Sequence, residues 1–393
     1  MEVDHSLKIT SKKILVVHNR YRYIGGEDIA VEKEIDFLKR FNQVKVLEFE
    51  NNITNYFSQL ISFLTNNNRK SVKLFEKTLN AFEPDIVYIH NLWFKASLGI
   101  LKKLPYKDTK IILKLHNFRY DCAGSFFAFR HLKGKDICGA CGFNKKNNPV
   151  FNKYFENSYL KSFLVILFSK KFVSLLEQRN FLILVLTNFH KNFLKLNNFN
   201  FKNIDVFPNF IYKDKKINEQ NSSLIYAGRI SKEKGVAELI DSFLEVSNEN
   251  DLLKIVGDGP LLKNLKYKYK DHNEIQFFGE LPNEQVMKMI KESKAVVTAT
   301  KLYEGQPTLL CEASASCIPS IFPSYGGINE FFPNNYPYSF NQFDYKNLSE
   351  KIKLLLEDDK SHEVGIENFL FIEKKLSSET LKQKFIDIYE SVK

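Results

Sequence analysis

No stretch of the 393-residue chain holds an uninterrupted run of about 18 apolar residues. The most apolar segment, Tyr159 to Thr187, is broken by Lys161, Lys170, Lys171, Glu177, Gln178 and Arg179, so a membrane-spanning helix is not expected. Met1 to Lys13 is polar and charged, with no apolar core or small-residue cleavage site. A signal peptide is therefore not expected, and a cytoplasmic location is. Cysteine is scarce: five residues (122, 138, 141, 311 and 317), an odd count that argues for free thiols or a metal site over a disulfide frame. No repeat of solenoid period is present and no nucleic-acid-binding module is recognisable, so a nucleic-acid partner is not expected. Tryptophan occurs once, against 36 Phe and 18 Tyr, and Lys and Asn are frequent, the bias of an AT-rich coding sequence.

The net charge of +11 is unevenly spread. Residues 1–200 carry 32 Lys+Arg against 17 Asp+Glu, and residues 201–393 carry 25 against 29. The excess is greatest over 101–200, with 18 basic and 5 acidic side chains. Clustered positive charge suits a phosphate-bearing partner or an anionic membrane surface, and it bears on association rather than fold.

Short β-branched runs alternate with helical stretches. Ile14 to His18, Ile86 to His90 and Ile111 to Leu115 with His116 following are expected as buried parallel strands, each closing on a histidine at the end that faces the crevice of an open α/β sheet. Phe181 to Leu186 and Ile204 to Phe207 continue the pattern until Pro208-Asn209. After a polar linker, Lys213 to Ser223, strands are expected at Leu224 to Ala227, Leu252 to Val256, Ile275 to Phe278, Ala295 to Ala299 and Pro319 to Phe322, with a helix over Val236 to Asn248. The fold class is α/β: two doubly wound, Rossmann-like domains facing across a cleft, a default place for a ligand.

Chemistry-bearing residues gather in the second half. Glu304 and Glu312 flank Gly305-Gln306-Pro307 and the start of an expected helix, whose unpaired N–H groups at Thr308, Leu309 and Leu310 offer an anion cradle. Carboxylates beside such donors suit a ligand with both hydroxyls and phosphate; taken alone, an exposed loop followed by a helix bearing a surface Glu is the preferred reading. Arg229 and Lys234, in the turn after the strand ending at Ala227, can neutralise a diphosphate or form an ordinary basic loop. Gly257-Asp258-Gly259-Pro260 makes a tight turn at the same edge, and Phe278 with Gly279 can wall a base or fill the core.

In combination these motifs resemble the C-terminal domain of the retaining glycosyltransferases of family 4, the glycosyl transferases group 1, which have the GT-B fold: Gly228-Arg229 with Lys234, then Gly257-Asp258-Gly259-Pro260, then Phe278-Gly279-Glu280-Leu281-Pro282, then Glu304 and Glu312 in E-x7-E spacing. Gly25-Gly26-Glu27, His90-Asn91-Leu92-Trp93 and His116-Asn117-Phe118-Arg119 resemble that family's acceptor-side motifs, and Pro208-Asn209 its domain boundary. The resemblance implies domains over 1–209 and 210–374, with a C-terminal helix over 375–393 packing back on the first. It implies that Arg229 and Lys234 bind the donor diphosphate, Glu312 the ribose, Glu304 the hydroxyls of the transferred sugar, and Thr308 to Leu310 the phosphate. Gly25 and Gly26 would let backbone approach phosphate and acceptor, and His116 would contact the sugar. The donor implied is a UDP- or GDP-sugar, the acceptor a glycan or a lipid-linked glycan, and the setting bacterial surface polysaccharide synthesis. No Asp-x-Asp triplet is present, and no metal is required by this chemistry. A sugar-nucleotide epimerase or a catalytically silent binder on the same fold are the alternatives.

Two features stand apart. Cys122, Cys138 and Cys141 give three thiolates of the four that structural zinc wants, with His131 as a candidate fourth; free thiols are the preferred expectation. Tyr159 to Lys171 is apolar with lysines at both ends, which fits a core helix and also a helix at the inner face of the cytoplasmic membrane.

Overall fold

The computed structural model describes residues 11–21, 25–51, 56–105, 108–118, 159–197, 199–213 and 222–391. Cys122, Cys138, Cys141, His131 and Arg119 lie outside them.

Two parallel six-stranded sheets organise the described residues. The first is built from β1 (Lys13–Arg20), β2 (Gln43–Glu50), β3 (Ile86–Ile89), β4 (Lys110–Leu115), β5 (Leu182–Val185) and β6 (Asn203–Val206), in the order β2-β1-β3-β4-β5-β6. Helices α1 (Gly26–Lys39), α2 (Tyr56–Thr65), α3 (Arg69–Phe82), α4 (Tyr159–Gln178) and α5 (Asn188–Leu196) intervene. The second sheet holds β7 (Ser223–Ala227), β8 (Leu252–Val256), β9 (Ile275–Gly279), β10 (Ala295–Val297), β11 (Ser320–Pro323) and β12 (Ser339–Phe340), in the order β12-β11-β10-β7-β8-β9. Its helices are α6 (Val236–Leu244), α7 (Leu262–Lys268), α8 (Asn283–Lys291), α9 (Thr308–Ala315), α10 (Tyr345–Glu357) and α11 (Ser361–Leu376). A last helix, α12 (Ser378–Ser391), follows.

Central strands are apolar on both faces because helices cover both: Ile14, Leu15, Val16 and Val17 of β1 are all fully buried. β2 differs, since it lies at the sheet edge and alternates exposed Lys45 and Glu48 with buried Leu47 and Phe49. Its charged pattern is why no strand is expected there from sequence, and β12, only two residues long, escapes for want of length. β1 also runs two residues beyond His18, to Arg20, and α6 stops at Leu244, four residues short of the expected Asn248.

Strand order locates the crevices. In an open α/β sheet the connections diverge to opposite faces where the order reverses, leaving a gap at the strands' carboxyl ends. That switch falls between β1 and β3 in the first sheet and between β7 and β10 in the second. The loops that leave these strands carry Gly25, His90, Arg229 and Glu304.

An apolar cluster joins the two halves, running from Val16, Phe37 and Tyr88 through Phe207, Phe210 and Ile211 to the second sheet. Phe37 stacks on Phe210 at 4.9 Å between centroids. The last two helices divide between the halves. α11 packs on the second, where Asn368 bonds Ser314 and Gly365 sits on the Cys317 carbonyl. α12 places fully buried Phe385 against Tyr88 and Phe207, at 6.0 and 5.5 Å, and takes a hydrogen bond from Lys110 at the Tyr389 carbonyl.

Candidate active site

The loops after β4 and β5 meet those after β10 and β11. A Cβ on Gly305 would stand 3.4 Å from Leu186 Cδ1 and 4.0 Å from the His116 carbonyl oxygen, so the Glu304 loop lies against the His116 segment. Gln306 bonds the backbone of Asn209 in both directions, its amide nitrogen donating to the carbonyl at 3.1 Å and its oxygen accepting from the N–H. Glu330 caps α5, accepting from the Asn188 and Phe189 amides at 2.9 and 2.7 Å.

On the second half, β7 hands over to Gly228 and exposed Arg229, which has no carboxylate partner among the described residues. A 3₁₀ turn over Lys232–Lys234 follows, then Gly235 at φ +67°, where a Cβ would lie 2.1 Å from the Ala299 carbonyl oxygen. Only glycine fits there, and it sets the direction in which Lys234 leaves the turn. Lys234 Nζ reaches Glu304 Oε1 at 2.6 Å, and the Thr300 hydroxyl donates to the same oxygen at 3.1 Å. Gly257, at φ +132°, would press a Cβ to 1.9 Å of the Gly228 carbonyl oxygen, so that tight turn packs directly against the Arg229 loop. Phe278, 43% exposed on edge strand β9, presents a ring to solvent, while the Gly279 carbonyl accepts from the Gly257 amide at 2.7 Å.

Helix α9 begins at Thr308, with Pro307 at its N-cap and no side-chain cap. Its first intrahelical bond is Cys311 N–H to the Pro307 carbonyl at 3.0 Å. The amides of Thr308, Leu309 and Leu310 therefore have no acceptor within the helix, and a positive dipole end is presented there. Glu312, one turn in, is buried and takes its hydrogen bond from Lys33 of α1, in the other half. Cys311 and Cys317 are buried and form no disulfide, and burial pushes the Cys311 thiol upward.

On the first half, Gly25 is extended and precedes α1; a Cβ there would meet only Asp28 Oδ2 at 3.9 Å, and one on Gly26 would meet nothing within 4 Å. The described residues make no demand for glycine at either position. Glu27 of the same motif accepts from Asn117 at 3.1 Å, so the first and third acceptor-side motifs converge. His116 Nε2 lies 3.0 Å from His90 Nδ1, and Nδ1 of His116 is buried without a partner among the described residues. Burial holds both imidazoles well below the usual range, helped for His116 by Lys114 and His18, so the pair is neutral at pH 7. His18 pairs with Asp28 at 2.9 Å; burial pushes that carboxyl up, but the His18 and Gly25 hydrogen bonds outweigh it and hold it low. Beneath, Lys114 and Glu34 form an ion pair at 2.6 Å with both side chains fully buried, and Tyr88 donates to the other Glu34 oxygen.

Lys234 thus pairs with Glu304 at the carboxyl ends of the second sheet's switch-point strands, where the Arg229 loop and the start of α9 also lie, and the backbone of His116 lies against the Glu304 loop. Sequence reasoning missed Lys33, Thr300 and Gln306, because a lysine inside an amphipathic helix, a threonine after a strand and a glutamine in a turn carry no motif.

Residues 209–369 match the family described as glycosyl transferases group 1, and the two sheets have the GT-B fold. Over 184 residues the chain is 24% identical to CapM, a capsular polysaccharide biosynthesis glycosyltransferase of Staphylococcus aureus, covering 45% of this chain and 48% of CapM. AmsD, an amylovoran biosynthesis glycosyltransferase of Erwinia amylovora, is 27% identical over 150 residues, 35% of this chain and 42% of AmsD. The chain spans less than half the length of these curated relatives. Among solved structures, Anabaena Alr3699/HepE in complex with UDP and glucose superposes with a TM-score of 0.65 at 14% identity, over 97% of this chain and all of that one.

Proposed function

We propose that the protein is a retaining glycosyltransferase of family 4 that moves a sugar from a UDP- or GDP-sugar to a glycan or lipid-linked acceptor in bacterial surface polysaccharide synthesis. The observation that carries this is the Lys234–Glu304 pair at the switch point of the second sheet, beside the loop of Arg229, which has no carboxylate partner among the described residues, with the His116 segment against the Glu304 loop. The names of the curated relatives, capsular polysaccharide and amylovoran biosynthesis, support the polysaccharide setting.

The task of such a site is to stabilise a departing nucleoside diphosphate. Arg229, Lys234 and the α9 amides place positive charge where the diphosphate's charge grows. The anomeric carbon–phosphate oxygen bond breaks, the bond to the acceptor oxygen forms on the same face, and the acceptor proton passes to the departing phosphate oxygen. Glu304 orients sugar hydroxyls while holding Lys234, and neutral His116 offers a hydrogen bond without competing charge. Glu312 takes the ribose.

Acceptor access from an anionic membrane surface completes the proposal. Leu60, Ile61 and Leu64 of α2 are 44, 46 and 55% exposed, and Leu160, Phe163 and Leu167 of the adjoining α4 are 63, 43 and 38% exposed. Lys171 ties α4 to α2 through the Thr65 carbonyl at 3.1 Å, and its pKa is lowered by burial and by nearby Lys102. Apolar side chains rimmed by cations fit an interface of anionic lipid. No helix among the described residues is long and apolar enough to cross a membrane.

The test is a thermal-shift screen with UDP, GDP, ADP and their sugars. A ligand at about 100 times its dissociation constant adds about 2.7 kcal/mol of stability. Stabilisation by UDP or GDP that disappears in Arg229→Ala and in Lys234→Ala is expected. No response to any nucleotide would overturn the assignment, and binding without transfer to any acceptor would make the protein a binder.

A further inference from the structure

We infer that Lys33 is a specificity-determining residue of the nucleotide site, acting with Glu312 as a two-sided clamp on the ribose diol. This rests on the nucleotide-binding function proposed above. Lys33 and Glu312 are 279 positions apart, on α1 of the first half and α9 of the second, yet they form an ion pair with side chains only 16% and 8% exposed. Lys33 is the sole hydrogen-bond partner of Glu312 among the described residues. A carboxylate accepts at up to about four positions and an ammonium donates three times, so both groups keep unused capacity in a place where water is scarce. For a pair serving only to join the halves this is poor design, because desolvation offsets most of the attraction when the remaining lone pairs go unmet.

A vicinal diol supplies what is missing. Each hydroxyl is both donor and acceptor: it donates to Glu312 and accepts from Lys33. A carboxylate alone offers half of that pattern. With Lys33 already on Oε1, the Glu312 carboxylate is fixed in orientation, and its second oxygen remains for a ribose hydroxyl. Because the two groups come from opposite halves, the ribose is held by both only when the halves approach. Nucleotide affinity then reports closure, as expected when a ligand binds one of two states better.

The experiment is titration calorimetry of the full chain with UDP and with 2′,3′-dideoxy-UDP, repeated with the guanosine pair, on wild type, Lys33→Met and Lys33→Arg. Lys33→Met keeps the apolar stem and removes the charge. Loss of a charged hydrogen bond corresponds to roughly tenfold or more in affinity. The expected result is that Lys33→Met weakens ribonucleotide binding by about that factor, leaves the dideoxy compound unchanged, and so collapses the discrimination, while Lys33→Arg retains most of it. If Lys33→Met fails to fold, Lys33→Gln carries the same comparison. Ribonucleotide binding as tight as wild type, or tighter, in the neutral variants overturns the inference, since Lys33 would then only compete with the ribose. A wild type that binds no nucleotide overturns the proposed function and this inference together; a wild type that binds with no change in the variants overturns this inference alone.

Discussion

Replacing Lys114 by methionine gives the sharpest stability test in the molecule. Its ammonium meets Glu34 at 2.6 Å with both side chains fully buried, and it leans on the Phe207 ring at 4.8 Å. Removing the cation strands a carboxylate that neither water nor another cation reaches, and breaking such a pair costs about 3–5 kcal/mol. With a urea slope of about 2.5 kcal/mol per molar, the midpoint falls by about 1–2 M. Lys114→Met with Glu34→Leu removes both charges and leaves the Tyr88 hydroxyl without its acceptor, a cost of about 1–3 kcal/mol, so the double variant is more stable than Lys114→Met alone. Trp93, the single tryptophan, lies in the same half, so its fluorescence follows this half even when the two unfold separately. A single variant that loses less than about 1 kcal/mol, or a double variant as unstable as the sum of its singles, would refute the buried pair as described.

Acid stability follows from the histidines. Burial holds His190 at about 3 and keeps His90 and His116 well below their usual range, so below about pH 6.5 the unfolded chain takes protons that the folded chain refuses. Stability is complete above that pH and is lost as pH falls; His190 alone contributes a loss of about 2 kcal/mol at about pH 5. The urea midpoint followed by Trp93 should drop accordingly, and His190→Phe should flatten the slope; a midpoint that holds or rises on acidification contradicts the assignment. For the membrane surface, flotation with phosphatidylglycerol-containing vesicles should carry the wild type and not Leu64→Asp/Phe163→Asp, with phosphatidylcholine vesicles carrying neither; equal flotation of both proteins refutes it.

The sequence made the buried parallel strands legible because they are apolar on both faces, and β8 falls on the expected residues, Leu252–Val256. It also made visible the residues that keep a family spacing, Glu304 with Glu312 and Arg229 with Lys234. Pairing was not visible. Which cation faces which acid depends on how two halves meet, so Lys234 with Glu304 is a surprise in partner and Lys33 with Glu312 in existence. The same holds for His90 with His116: each closes a strand legible by itself, but their 3.0 Å contact follows from β3 and β4 being neighbours. Edge strand β2 stayed hidden because half of its side chains answer to water rather than to a core.

The polypeptide passes from the first half to the second after β6 and returns between Leu376 and Ser378, and Lys213 with Glu373 ties the outgoing and returning segments together. Two neighbouring covalent links define a line, and a line leaves two rigid bodies one easy motion. The halves can turn about it as covers turn about a spine, with sliding or twisting resisted by both links at once. Displacement then grows with distance from the spine, so substrate held far from it gains the longest lever arm and feels the largest swing.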